Sequence, residues 1–301
     1  MKATSVVIAN LVWVLSAPLS LFGSGAQEDF TSPDAAVQAL VAAIQDPDAV
    51  RFQTVVGPEM AEVWVSGDPE RDTLERTDFL AQARQFSLRE NAGNPNRVVL
   101  YVGAPAKPFP APLVRTPEGW HFDSKVGALE LTIQRIRRNE SAVRDLCRRY
   151  VRAQFDYFNR NLSFAQKIRS APGRKDGLFW QDDGLADESP VGPLFARAAF
   201  AEAVDAAPEP FFGYYFKVLP AQPPSTQGVA LDQRAVSERE RGFALIAWPA
   251  KYGATGIESF LISNLGVIYY KDLGRDTLRD APLIEYFHPD DSWDQVPPGD
   301  Q

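Results

Sequence analysis

Apolar residues recur at Ala36, Val37, Leu40, Val41 and Ile44, the spacing of one buried helix face. The helix opens at Thr31-Ser-Pro-Asp34, where Thr31 or Ser32 caps the free N–H groups and Pro33 suits the first turn. Asp46-Pro-Asp48 ends it. A short second helix is expected from Asp48 to Val55, and a third from Arg71 to Arg89 carrying Leu74, Phe79 and Leu88. The period then changes. Residues 97–102 are β-branched and short, as in a strand, and four prolines stiffen 105–112. Residues 113–115 and 120–123 flank a Pro117-Glu-Gly119 turn, which predicts a hairpin.

The strongest periodic signal runs from Leu129 to about Ile168 through Ile133, Ile136, Val143, Cys147, Tyr150 and Gln154. It predicts one long helix, or two with a break near Asn139, and no Gly or Pro interrupts it before Pro172. Loops follow, then a short helix at 194–204. Strands are expected at 211–219, 243–248, 257–263 and 267–271, the last two joined by the tight turn Asn264-Leu-Gly266. Helices followed by antiparallel strands, twice over, predict an α+β fold. We expect an N-terminal unit over 27–126, similar in element order to cystatin-like or NTF2-like domains. A C-terminal unit over 127–296 follows, a long helix on a sheet in the manner of a pilin, with a tail at 297–301. These likenesses are of architecture and carry no function.

Composition changes the picture at the N-terminus. Lys2, an apolar run from Val6 to Phe22 broken by Pro18, and Ser24-Gly-Ala26 form a secretory signal pattern, cleaved after Ala26. The protein is therefore expected to be exported, periplasmic or secreted. No later segment offers the roughly 18 uncharged apolar residues that a membrane span needs. Cys147 is the only cysteine, so the chain holds no internal disulfide, and its apolar helical position suits core packing.

Charge is segregated. The formal net charge is −8, or −9 without Lys2. From Arg135 to Lys175 there are 12 Arg and Lys against Glu140, Asp145 and Asp156, a surplus of +9, so the rest of the mature chain carries −18. This basic stretch, with Arg148 and Arg152 on the helix, either pairs internally or forms an anion-binding face. An exported, net-acidic chain argues against a nucleic-acid partner. Gly173-Arg-Lys-Asp-Gly177 sets Arg174, Lys175 and Asp176 in a flexible loop before Trp180, suited to holding an anion or to placing Asp176 as an acid or base. It lacks the spacing of a P-loop, and its structural alternative is a turn that Asp176 caps. Asp182, Asp183 and Asp187 offer hard oxygen ligands without the order of an EF-hand, either a calcium loop or a solvated acidic one. His121 and Asp123 lie on or beside the predicted strand at 120–123, and His121 and His288 are the only histidines, too few for a His-rich metal site. No nucleophile elbow appears and no cofactor is expected.

Ordered blocks along the chain carry a resemblance. They include Phe30-Thr-Ser-Pro-Asp-Ala-Ala-Val37, Ser66-Gly-Asp68, Gly119-Trp-His-Phe-Asp123 and Arg138-Asn-Glu140. Gly173-Arg-Lys-Asp-Gly-Leu-Phe-Trp180, Ser189-Pro-Val-Gly-Pro193 and Phe212-Gly-Tyr-Tyr-Phe216 continue the series. Gly242-Phe-Ala-Leu-Ile-Ala-Trp-Pro249, Tyr252-Gly-Ala-Thr-Gly256 and Tyr270-Lys-Asp-Leu-Gly274 complete it. In these the chain resembles the DUF2950 family, exported bacterial proteins of unknown function. It departs from the family pattern at 222–241, where Pro223-Pro224 and Glu238-Arg-Glu-Arg241 stand in a stretch that is Gly-rich in the family. The resemblance implies an envelope location and no established chemistry. Three functional readings follow: a non-enzymatic module binding an anionic envelope polymer or a protein partner, a carboxylate-dependent envelope hydrolase, and a pilin-like assembly protein.

Overall fold

The computed structural model describes residues 26–46, 49–65, 69–91, 93–181, 188–202, 207–221 and 242–297. The predicted leader, save for Ala26, lies outside these residues. So do Ser66-Gly-Asp68 and the stretch 222–241. Two compact units divide the chain between Leu131 and Thr132.

Unit 1 opens with α1 (Pro33–Gln45), α2 (Ala49–Val56), α3 (Pro58–Trp64) and α4 (Pro69–Gln82). Of the two candidate caps on α1, Ser32 takes the position, its Oγ accepting from the Ala35 N–H at 3.2 Å. The predicted third helix stops at Gln82, and Leu88 falls instead on β1 (Phe86–Asn91). Its partner explains the change. Leu88 pairs with Leu100 of β2 (Asn94–Val102), and packing on a neighbouring strand overrides a local helical pattern.

The sheet continues through β3 (Lys107–Pro108), which pairs with β2, and through β4 (Leu113–Arg115) and β5 (Trp120–Phe122). The expected hairpin joins the last two, with the Thr116 N–H donating to the Gly119 carbonyl at 2.8 Å. Gly119 has φ +152°, and a Cβ there would lie 2.7 Å from the Phe30 carbonyl oxygen, so only glycine lets Phe30 bridge Trp120. The core gathers Leu40, Val55, Met60, Leu100, Leu113 and Phe122, all but excluded from solvent.

Of the two readings of the periodic stretch, the single helix holds: α5 (Ser124–Asn161) runs through Asn139 without a break. Asn139 is buried and caps nothing; its Nδ2 donates to the Thr255 carbonyl at 2.9 Å. Residues 132–161 of this helix open unit 2. There, α6 (Pro193–Arg197) and a 3₁₀ turn (Phe200–Glu202) precede β6 (Tyr214–Leu219), β7 (Ala244–Pro249), β8 (Glu258–Ser263) and β9 (Ile268–Asp272). The short α7 (Thr277–Asp280) and the edge strand β10 (Asp294–Gln295) complete it. The strands run antiparallel in the order β10-β9-β8-β7-β6. The predicted turn at Gly266 joins β8 to β9, and Phe260 pairs with Tyr270.

β7 is buried along its whole length because both sheet faces are covered. Leu245 and Ala247 face a core with Val143, Cys147, Tyr150 and Phe260; Ala244, Ile246 and Trp248 face a second with Leu261 and Ala281. Tyr150 meets Phe243 edge-on at 5.5 Å, a favoured aromatic geometry.

Polar bonds fix the segment after α5. Gln154 is fully buried; its Nε2 donates to the Ala165 carbonyl at 2.8 Å and to the Tyr150 hydroxyl at 2.9 Å, and its Oε1 accepts from the Ala165 N–H at 2.9 Å. The Tyr150 hydroxyl then donates to the Ala244 carbonyl on β7 at 3.2 Å. Glu202 receives the Ile168 and Arg169 N–H groups at 2.7 and 2.5 Å. Desolvation still pushes its carboxyl above the usual range, although both N–H groups favour the ionised form.

Two stability predictions follow from this packing. Gln154→Ala strands a buried N–H and C=O of Ala165, which costs on the order of 3 kcal/mol, read as a lower urea midpoint. Gly256→Ala drives a Cβ into the Tyr214 hydroxyl, whereas Gly192 has open space around it and φ −83°. Thermal unfolding should show a lower midpoint for Gly256→Ala and an unchanged one for Gly192→Ala.

Candidate functional site

His121 and Asp123 belong to unit 1. β5 presents His121 half-buried, with Nδ1 2.9 Å from Asp29 Oδ1. Asp123 follows the strand and opens α5, where its Oδ1 accepts from the Val126 N–H at 3.2 Å and its Oδ2 lies 3.7 Å from Arg97. Both side chains are held by partners of their own unit.

The Gly173–Trp180 loop lies in unit 2. Asp176 Oδ1 accepts from the Ala171 N–H at 2.9 Å, and Oδ2 pairs with Lys167 Nζ at 3.0 Å. Desolvation works against the charged form, yet the Ala171 N–H and the Lys167 ammonium outweigh it and hold the carboxyl below its ordinary value. Asp176 is thus a carboxylate that ties a turn, whose Gly173 sits at φ +70°. Lys175 Nζ lies 5.4 Å above the Trp180 ring, and the Tyr157 hydroxyl donates to the Lys175 carbonyl at 3.1 Å. Trp180 is buried, and its backbone N–H donates to Ser189 Oγ at 2.9 Å. Arg174 points to solvent. Asp182, Asp183 and Asp187 lie outside the described residues.

The same unit shows where the basic stretch points. On α5, Arg137, Arg138, Arg149, Arg152 and Arg160 are exposed, while Val143, Cys147, Tyr150 and Ala153 face the core. Helical periodicity alone separates the two sets. Asp145 and Asp156 are exposed too, and Asp145 pairs with the half-buried Arg148 at 2.5 Å. With Arg174, six exposed arginines stand against two exposed acids on α5. Arg149 and Arg152 make no ion pair among the described residues.

Sequence reading missed a carboxylate group at the other end of this unit's helix. Glu140, read only as one of three acids in a basic stretch, turns its Oε1 toward the Ile257 and Glu258 N–H groups at 2.9 and 3.1 Å. Glu258 opens β8 directly opposite Asp272 of β9. Its Oε2 is shut off from solvent and has no hydrogen-bond partner among the described residues. Desolvation, then the charges of Glu140, Asp272 and Asp294, push the Glu258 carboxyl up to about 7. The Tyr252 hydroxyl donates to Asp272 Oδ2 at 3.0 Å, and the Tyr214 hydroxyl to the Glu258 carbonyl at 2.9 Å. The sequence signal for this group is faint: a lone Glu before an apolar strand, 118 residues from Glu140.

Cys147 is fully buried, and desolvation pushes its thiol up to about 12, so it is an inert core residue. His288 is exposed beside Tyr286. Among the described residues, no three His, Cys, Asp or Glu side chains converge as metal ligands. No described helix is long and apolar enough to cross a membrane. A shallow cavity of about 440 Å³ in unit 1 is lined by Arg84, Phe86, Ser87 and Tyr101, and none of the candidates above borders it.

No curated protein and no solved structure matches the chain. One family model, that of a protein of unknown function (DUF2950), matches residues 27–296, and by that match, which spans nearly its whole length, the chain belongs to the DUF2950 family.

Proposed function

We propose that this protein is an exported, non-enzymatic binding module whose ligand is an anionic envelope polymer held along α5. The observation that carries this reading is the outward row of Arg149, Arg152 and Arg160 beside Arg137 and Arg138. Helix geometry spaces these guanidinium groups along one rod, suited to successive carboxylates or phosphates on an extended chain. The net-acidic remainder of the protein would repel the same polymer, which confines contact to this face.

Such binding is electrostatic and screened by salt. Isolated cell-wall fragments should pellet the protein at low ionic strength and release it at high. The double charge reversal Arg149→Glu/Arg152→Glu should abolish pelleting while leaving the circular-dichroism spectrum unchanged. Pelleting that resists both salt and the double variant would rule the arginine face out as the binding surface.

A further inference from the structure

Glu258 is confined by charged and titratable groups from every element around it. From α5 come Glu140 and Arg144, from β6 Tyr214, and from the loop before β8 Tyr252. Asp272 on β9, Arg275 just beyond it and Asp294 on β10 close the other side. Four of these eight groups, Glu258 included, are carboxylic acids. Glu258 and Asp272 are direct cross-strand partners, where like charges destabilise the pairing. Asp294 sits one strand further out, opposite Tyr270. The arginines do not offset this group: Arg144 acts on Tyr214, Arg275 acts on Tyr252, and neither forms an ion pair with Glu258 among the described residues.

The outermost strand is the least committed part of the sheet. β10 pairs with β9 through two residues only, Asp294 and Gln295. Around it, the Val296 N–H donates to the Ile268 carbonyl at 2.9 Å, Gln295 reaches the Tyr269 hydroxyl at 3.2 Å, and Val296 is buried. If β10 leaves, Asp294 departs from the carboxylates, Val296 leaves the core, and the outer edge of β9 is bared as an unpaired strand.

We propose that Glu258 is an acid-closed clamp on this sheet edge: its protonated carboxyl lets β10 dock with Asp294 near Glu258 and Asp272, and its ionisation favours release of β10. Burial and like charge raise the Glu258 carboxyl to about 7 in the docked state, above the 4.5 of a free glutamate. A group whose folded value is raised contributes fully below the unfolded value and loses that contribution as pH rises through the folded one. Release of β10 removes the Asp294 charge but leaves Glu140 and Asp272 in place, so the Glu258 carboxyl falls below its docked value on release, and docking weakens as pH rises toward about 7 and is constant above.

Hydrogen exchange of the whole protein, corrected for intrinsic rate, reads this directly. Between about pH 5 and pH 8, protection of the amides of β9 and Val296 should fall several-fold in the wild type, while that of β7 stays constant. Glu258→Gln removes the charge and should hold that protection at its acid level at both pH values. Wild-type protection that does not change, or that falls equally in Glu258→Gln, overturns the clamp. Should Glu258→Gln fail to fold, Asp294→Asn tests the same step. Removing one of the repelling charges should shrink the wild-type pH effect, and an undiminished effect refutes the proposal.

Discussion

Unit 2 depends on α5 supplying hydrogen bonds to chain that has no sheet or helix of its own. A loop packed against a buried helix face carries N–H and C=O groups that water no longer reaches, and each must find a partner. The helix meets this demand at two levels. Asn139 and Glu140 serve the loop before β8, and Gln154 with Tyr150 serves the chain just after the helix and the start of β7. Asn139, Glu140 and Gln154 interrupt the apolar stripe, and Tyr150 within it adds a hydroxyl, at the places where irregular backbone approaches. The stripe itself sets only which face is buried. The polar side chains set which loop lies where, since an apolar contact has no direction and a hydrogen bond does.

The same logic accounts for which parts of the fold were legible in sequence. The stripe through Val143, Cys147 and Tyr150, the cap at Ser32 and the turns at Gly119 and Gly266 are local statements, and a short window holds all the information they need. The strand at Phe86 was hidden because its partner, β2, decides it. Asn139 left two readings open for a related reason. An Asn within a helical pattern reads as a cap, and only a carbonyl 116 residues away explains why it can remain inside one continuous helix.

For the site, sequence located charge well and pairing poorly. A surplus of +9 over Arg135–Lys175 is visible in composition, and the helical period divides it into exposed Arg149 and Arg152 and half-buried Arg148. That Asp176 is bound by Lys167 and the Ala171 N–H is a matter of loop geometry that spacing does not encode. Glu258 left only a faint signal. Its character comes from Glu140, Asp272 and Asp294, three acids from three elements, and no window of sequence contains them.

Charge segregation along α5 then takes a definite form. The helix directs Arg137, Arg138, Arg149, Arg152 and Arg160 outward and one carboxylate, Glu140, inward near the start of unit 2. An internal network of ion pairs would place guanidinium groups against the buried acids. Instead Glu258 keeps a buried oxygen without a partner beside like charges, while Arg149 and Arg152 make no ion pair among the described residues. Keeping them apart leaves an outward cationic face on α5 and an uncompensated carboxyl at the sheet edge, the two features on which the proposed polymer binding and the proposed proton response rest.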